Sequence, residues 1–260
     1  MVNRRELDPP ERSAEWDHRE VPKSFPAGVV VTLRGTAVVD PLEQTIDIPI
    51  ERIRLEADIA VPAAARGTVL FAHGSGSSRH SPRNRFVAEV LQAAGLATVL
   101  VDLLTPEEDR ADRTTAAHRF DIALLAPRLT ALTDWLADRE PVAGLGVGLF
   151  GASTGAAAAL VAAAARPALV GAVVSRGGRP DLAGAALVSV RQPTLLIVGG
   201  RDEPVLELNR QALRHLRGEA RLEIVPAATH LFEEPGTLER VASLARDWFV
   251  RHLAPPPAAG

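Results

Sequence analysis

Ser153, Asp202 and His230 follow one another in the second half of this chain, and together they are the residue types of a nucleophile, an orienting acid and a base. Ser153 stands in Gly151-Ala152-Ser153-Thr154-Gly155, after the apolar run Leu145–Phe150 and before the alanine-rich run Thr154–Ala165. A serine in a tight strand-to-helix turn projects its hydroxyl above the sheet edge. Glycines two residues to either side suit that turn, because side chains there would collide with neighbouring backbone. The turn also sets Ser153 at a helix N-terminus, where the dipole favours developing negative charge. A Gly- and Ala-rich chain could produce the pentapeptide by chance, with Ser153 an ordinary N-cap. The strand–turn–helix setting favours a nucleophile.

A serine hydroxyl needs a base, and the base needs an acid to orient it. His230 lies in Pro226-Ala227-Ala228-Thr229-His230-Leu231-Phe232, just past the last apolar run. The other histidines compete poorly. His18 falls in a charged N-terminal stretch, and His215 and His252 fall near helix ends. His80 and His118 could approach the site without taking part. Asp202 follows Leu195–Gly200 by one residue; its bland alternative is a turn aspartate capping the next helix. Asp181 is the runner-up acid. The order Ser, Asp, His, each past the carboxyl end of a strand, is the one expected of an α/β arrangement of this kind.

A reacting carbonyl also needs donors for its oxygen. His73-Gly74-Ser75-Gly76 follows the run Thr68–Ala72, where the Ser75 N–H can supply one donor; the Thr154 N–H, next to the nucleophile, supplies the other. The bland alternative is a glycine-rich turn with no ligand. A phosphate-cradling loop is rejected, because no Gly-Lys-Ser/Thr follows and Gly74-Ser75-Gly76-Ser77-Ser78 lacks the third glycine of a dinucleotide fingerprint. Gly76, Arg176 and Arg179 are candidate substrate-binding residues. The arginines of Ser175-Arg176-Gly177-Gly178-Arg179, with Arg79 and Arg201 at the same edge, could hold a substrate carboxylate. Solvated loop arginines are the plainer reading.

The elements that must position these residues alternate along the chain. Val29–Leu33 and Thr45–Ala60 read as strands, the second through alternating Ile46, Ile48 and Ile50. Short apolar runs then suit strands at Thr68–Ala72, Ala97–Val101, Leu145–Phe150, Val170–Val174, Thr194–Val198 and Arg221–Val225. Helical periodicity fills the intervals at Asn84–Ala94, His118–Ala137, Thr154–Ala165, Val205–Leu216 and Leu238–Leu253. Pro127 should kink the second of these or mark a later start. The expected fold class is α/β: a mostly parallel central sheet with helices on both faces, opened by antiparallel strands. Residues 1–27 read as an arm, 28–253 as a single domain and 254–260 as a tail.

Composition narrows the classes further. With 260 residues, no internal repeat and a net charge of -3, the chain can bury one large sheet and presents no global basic field for nucleic acid or anionic membrane. It has no cysteine, so disulfides, thiolate metal sites and a thiol nucleophile are excluded. The charged N-terminus lacks a signal-peptide core, and no apolar stretch is long enough for a membrane span. A soluble cytoplasmic protein is expected, a monomer or small homo-oligomer, with no metal or other cofactor.

On His73-Gly74-Ser75-Gly76, Gly151-Ala152-Ser153-Thr154-Gly155, Gly200-Arg201-Asp202 and Thr229-His230, the chain resembles the α/β-hydrolase superfamily over about residues 45–253, and within it the dienelactone hydrolase-like group. The resemblance implies an acyl-enzyme mechanism on small-molecule esters or lactones, without a cofactor. Founding members carry cysteine where this chain has Ser153, which points to a general carboxylic ester hydrolase more than to dienelactone. The stretch between Val174 and Thr194 is too short for a helical lid, leaving the Leu104–Ala117 loop as one wall. A thioesterase or acyltransferase on the same triad, or a ligand-binding protein without catalysis, are the rivals; a fold alone does not decide among them.

Overall fold

Thr68–Ala72 and Ala97–Val101 bury all of their residues, as strands covered on both faces must. They are β3 and β4 of an eight-stranded sheet in a computed structural model that describes residues 42–253. The expected arm, the strand at Val29–Leu33 and the tail from 254 lie outside the described residues. Ahead of β3 come β1 (Leu42–Ile50) and β2 (Ile53–Val61); after β4 come β5 (Val147–Ala152), β6 (Val170–Arg176), β7 (Thr194–Gly199) and β8 (Ala220–Val225). The helices are α1 (Pro82–Ala93), α2 (Pro106–Thr115), α3 (Ile122–Ala137), α4 (Thr154–Ala165), α5 (Glu203–Leu213) and α6 (Thr237–Leu253).

The spatial strand order is β1-β2-β4-β3-β5-β6-β7-β8. From β4 to β8 every pairing is parallel, and β1 and β2 open the sheet as an antiparallel pair. The single strand expected over Thr45–Ala60 is therefore a hairpin. Glu51 takes φ 50 between Ile50 and Ile53, and the chain reverses there in two residues. One face of the sheet buries α3 and α4 against Leu70, Val99 and Leu149; the other buries α1 and α6 against Phe71, Phe150 and Val174.

Two expectations about helices need correction. The Leu104–Ala117 stretch is not a loop but carries α2, started by a capping box: the Thr105 hydroxyl accepts the Glu108 N–H and the Glu108 carboxylate accepts the Thr105 N–H. The helix expected from His118 begins only at Ile122, after the N-cap Asp121, and runs through Pro127. Elsewhere Thr68–Ala72, Ala97–Val101 and Thr154–Ala165 keep their expected bounds, and other boundaries move by at most three residues. Between β6 and β7 there is only a 3₁₀ segment, Pro180–Ser189, and no lid.

After β3 the chain crosses to β4 on one side, and β5 then returns to the other side of β3. The carboxyl ends of β3 and β5 thus flank the point where strand order reverses, where open α/β sheets form their crevice. The β3–α1 loop and Ser153 both sit there.

Candidate active site

Ser153 turns between β5 and α4 at φ 49 and ψ -118, a conformation that L-residues rarely adopt. Its surroundings hold it there. A Cβ on Gly151 would lie 2.4 Å from the Ala156 Cα, and one on Gly155 would lie 2.2 Å from the Ala72 carbonyl oxygen, so α4 is packed directly on β3 and β5. The Ser153 N–H donates to the Arg176 carbonyl at 3.2 Å, and the Ser153 carbonyl accepts the Arg179 N–H at 3.0 Å. The hydroxyl makes no capping bond to α4. The N-cap alternative for Ser153 therefore lacks its defining bond.

Asp202 opens α5 at the end of β7, and it too makes no side-chain cap. Its Oδ2 lies 2.6 Å from His230 Nδ1, with the carboxylate only 13% exposed. A carboxylate can only accept, so Nδ1 carries the proton and Nε2 of the neutral ring keeps its lone pair. The imidazole rests against Gly177, where a Cβ would lie 3.5 Å from Cε1 and Nδ1; Gly177 also takes φ +52. The loop bearing His230 is tied by the Glu234 carboxylate, which accepts the Thr229 N–H at 3.1 Å. Those bonds from Thr229 hold the Glu234 carboxyl below its ordinary pKa.

The β3–α1 loop meets Ser153 from the other side of the crevice. A Cβ on Gly74 would lie 3.0 Å from the Ser153 Cβ, so the Gly74 backbone passes directly over the serine. Ser75 follows, half-buried, and Gly76 takes φ +68 with the Arg119 guanidinium beside it. Among the described residues, neither the Ser75 nor the Thr154 N–H donates to a backbone carbonyl. Helix α2 forms a wall of the neighbouring cleft, about 380 Å³, between Gly76, Arg83, Asp109, Arg113 and Arg119.

The arginines separate. Arg179 is engaged by Asp181 through two bonds of 2.9 and 2.7 Å, which occupy the carboxylate offered as runner-up acid. Arg176 is buried at 8% exposure, and its Nη1 has no hydrogen-bond partner among the described residues. Burial and the neighbouring charge of Arg83 push its pKa down to about 10, which leaves it charged at neutral pH. Arg79 is held by carboxylates, as detailed below. His80 is exposed beside Arg85, and the His118 N–H donates to Asp112.

Reading the sequence gave no part to the side chains of His73 and Asp102, and it offered Arg79 to a substrate carboxylate, whereas Glu56 and Asp102 of the protein itself engage that guanidinium. His73 follows β3 and Asp102 follows β4, and position past a strand's carboxyl end was the signal that could have found both.

The sheet order, the turn at Ser153 and the residues past β7 and β8 define an α/β-hydrolase fold. Esterases of low identity share it: Est1E from Butyrivibrio proteoclasticus is 16% identical with a TM-score of 0.66, over 80% of this chain and 98% of that one. The dienelactone hydrolase family model matches residues 55–252, and the chain belongs to that family. It is 58% identical to a dienelactone hydrolase from Anabaena variabilis, with a TM-score of 0.81 over 83% of this chain and 100% of that one. Two Mycobacterium tuberculosis proteins, provisionally named for phosphoribosyl transfer, are 58% identical over 86% of this chain and 50% of their own length. The chain spans about half the length of these curated relatives.

Proposed function

We propose that this hydrolase-family chain cleaves carboxylic esters or lactones through an acyl-enzyme on Ser153. His230 Nε2 takes the hydroxyl proton as the serine oxygen attacks the carbonyl carbon, and later returns it to the departing alkoxide. Asp202 holds the tautomer and supports the imidazolium that forms. The Ser75 and Thr154 N–H groups receive the developing oxyanion. Water, deprotonated by His230, then releases the acid and restores the serine. Turnover of this kind needs no further cofactor.

The observation that carries this reading is the Asp202–His230 bond of 2.6 Å, formed by an aspartate that begins a helix yet does not cap it. A carboxylate serving only the fold would take the α5 N–H groups. The uncapped, strained Ser153 supports the same reading. Gly76 lines the cleft, and buried Arg176 is the better placed of the two arginines to meet an anionic substrate group, since Asp181 already engages Arg179. The longer relatives' provisional name attaches to proteins of twice this span; we assign this chain the hydrolytic step.

The test is ester turnover together with labelling by a fluorophosphonate probe. Ser153→Ala should lose both. Unchanged turnover in that variant, or labelling at another residue, would contradict the proposal.

A further inference from the structure

The loop that offers the Ser75 amide is Gly74-Ser75-Gly76-Ser77-Ser78, a sequence with little stiffness of its own. Its rigidity comes from outside. A peptide group is planar and trans, so its C=O and N–H point in opposite directions. The Gly74 carbonyl and the Ser75 N–H share one such group. That carbonyl pairs with His73 Nδ1 at 2.9 Å and accepts the Ser77 N–H at 3.2 Å. His73 Nε2 accepts the Leu103 N–H at 3.1 Å, so Nδ1 must be the protonated nitrogen and the donor to Gly74. Fixing the carbonyl in this way aims the Ser75 N–H the other way.

The far end of the loop is fastened next door. Asp102 Oδ1 accepts the Arg79 main-chain N–H at 2.6 Å, and Oδ2 accepts the Arg79 guanidinium. The same guanidinium, 13% exposed, lies 2.7 Å from Glu56 and 3.4 Å from Asp58 on β2. Both ends of the loop are therefore bolted to residues 102 and 103, at the end of β4. Nη1 of Arg79 reaches both the Asp102 and the Glu56 carboxylates, so this one charged group joins the end of β4 to β2.

We propose that the Arg79–Asp102 pair is a positioning device for the oxyanion-binding loop: it sets where the Ser75 N–H stands relative to Ser153 without touching substrate. The proposal rests on the serine-hydrolase reading above. It predicts a penalty paid in the transition state, where the oxyanion exists, and not in ground-state binding.

The experiment compares Asp102→Ala, which removes both grips, with Asp102→Asn, which keeps an oxygen for the Arg79 N–H. Asp102→Ala should lower kcat by about 10- to 100-fold, part of the loss expected when an oxyanion donor is removed altogether. KM should stay within about threefold, and the inhibition constant of a trifluoromethyl ketone should rise in step with the loss of kcat. Asp102→Asn, which loses the guanidinium grip alone, should recover part of both. Hydrogen exchange over residues 74–79 should be faster in Asp102→Ala than in the wild type. Should Asp102→Ala fail to fold, Arg79→Ala, which removes the guanidinium grip and keeps the main-chain one, should match Asp102→Asn in its loss of kcat and of ketone affinity. Unchanged kcat, unchanged ketone affinity or an Asn variant as damaged as the Ala variant would overturn the proposal. A wild-type chain that turns over no ester defeats the hydrolase reading instead; hydrogen exchange then decides the clamp, and unchanged exchange overturns it.

Discussion

Ser153 pays for its uncapped hydroxyl with a backbone conformation worth about 1–3 kcal/mol of strain. Glycine would relieve that strain and give back about 0.5–1 kcal/mol in chain entropy. Ser153→Gly should therefore be more stable than Ser153→Ala by about 1 kcal/mol in urea unfolding, although both lose the hydroxyl. A stability order reversed between the two would mean that the turn is not strained. Asp202→Asn should keep the fold while lowering kcat by about 10³- to 10⁴-fold, because an amide can present its donor to His230 and favour the wrong tautomer. Arg176 yields a prediction of a different kind. A buried cation whose Nη1 has no partner among the described residues favours an anionic one, so the ratio of kcat/KM for an anionic ester over its neutral isostere should exceed one and should fall toward one in Arg176→Gln. An indifferent wild type would remove Arg176 from substrate binding.

Among the elements, α2 shows most plainly how a wall of the cleft is held. Glu108 completes the Thr105 capping box and also accepts Arg128 of α3 through two bonds of 2.6 Å. Arg128 in turn donates to the carbonyl of Leu103 at 2.8 Å, the same residue whose N–H donates to His73 Nε2. The Arg128 bond, with burial opposing it and the Thr105 bond assisting, holds the Glu108 carboxyl below its ordinary value. A depressed carboxyl contributes stability that is fully present above its unfolded pKa of about 4.3 and is lost as pH falls through the lower folded value. Glu108→Gln should cost about 1–3 kcal/mol at pH 7, since it leaves mostly buried Arg128 short of its partner. The difference should close in acid, below about pH 4, and chemical unfolding at the two pH values checks both statements. A pH-independent cost would show that the charge on Glu108 does not matter.

For the whole molecule, the parts legible in the sequence were those with local signatures. Unbroken apolar runs such as Thr68–Ala72 could only be interior strands, and their alternation with helical periods set the fold class. Gly151 and Gly155 marked the turn at Ser153 because the steric demand on each comes from a nearby crossing of backbone. The hairpin at Glu51 was hidden because Glu-Arg is no usual turn pair, and one residue in the left-handed region left no signature. Helix α2 was hidden by its mean polarity, though Thr105-Pro106 and Glu108 spelled out its start. The clamp on the β3–α1 loop was illegible for a deeper reason: Arg79 meets Asp102 and Glu56 only once three strands lie side by side. The candidate site divides in the same way: its motif residues have a local pattern in the sequence and their supports have none.

The acyl-enzyme is the central claim, and it can be weighed directly. Acid quenching during turnover of an activated ester, followed by tryptic digestion, should place the acyl mass on the peptide 140–176. Its hydroxyl residues are Ser153, Thr154 and Ser175, and fragmentation should assign the adduct to Ser153. The adduct should be missing from Ser153→Ala. An acyl group on any other residue, or its persistence in that variant alongside ester turnover, would contradict the account.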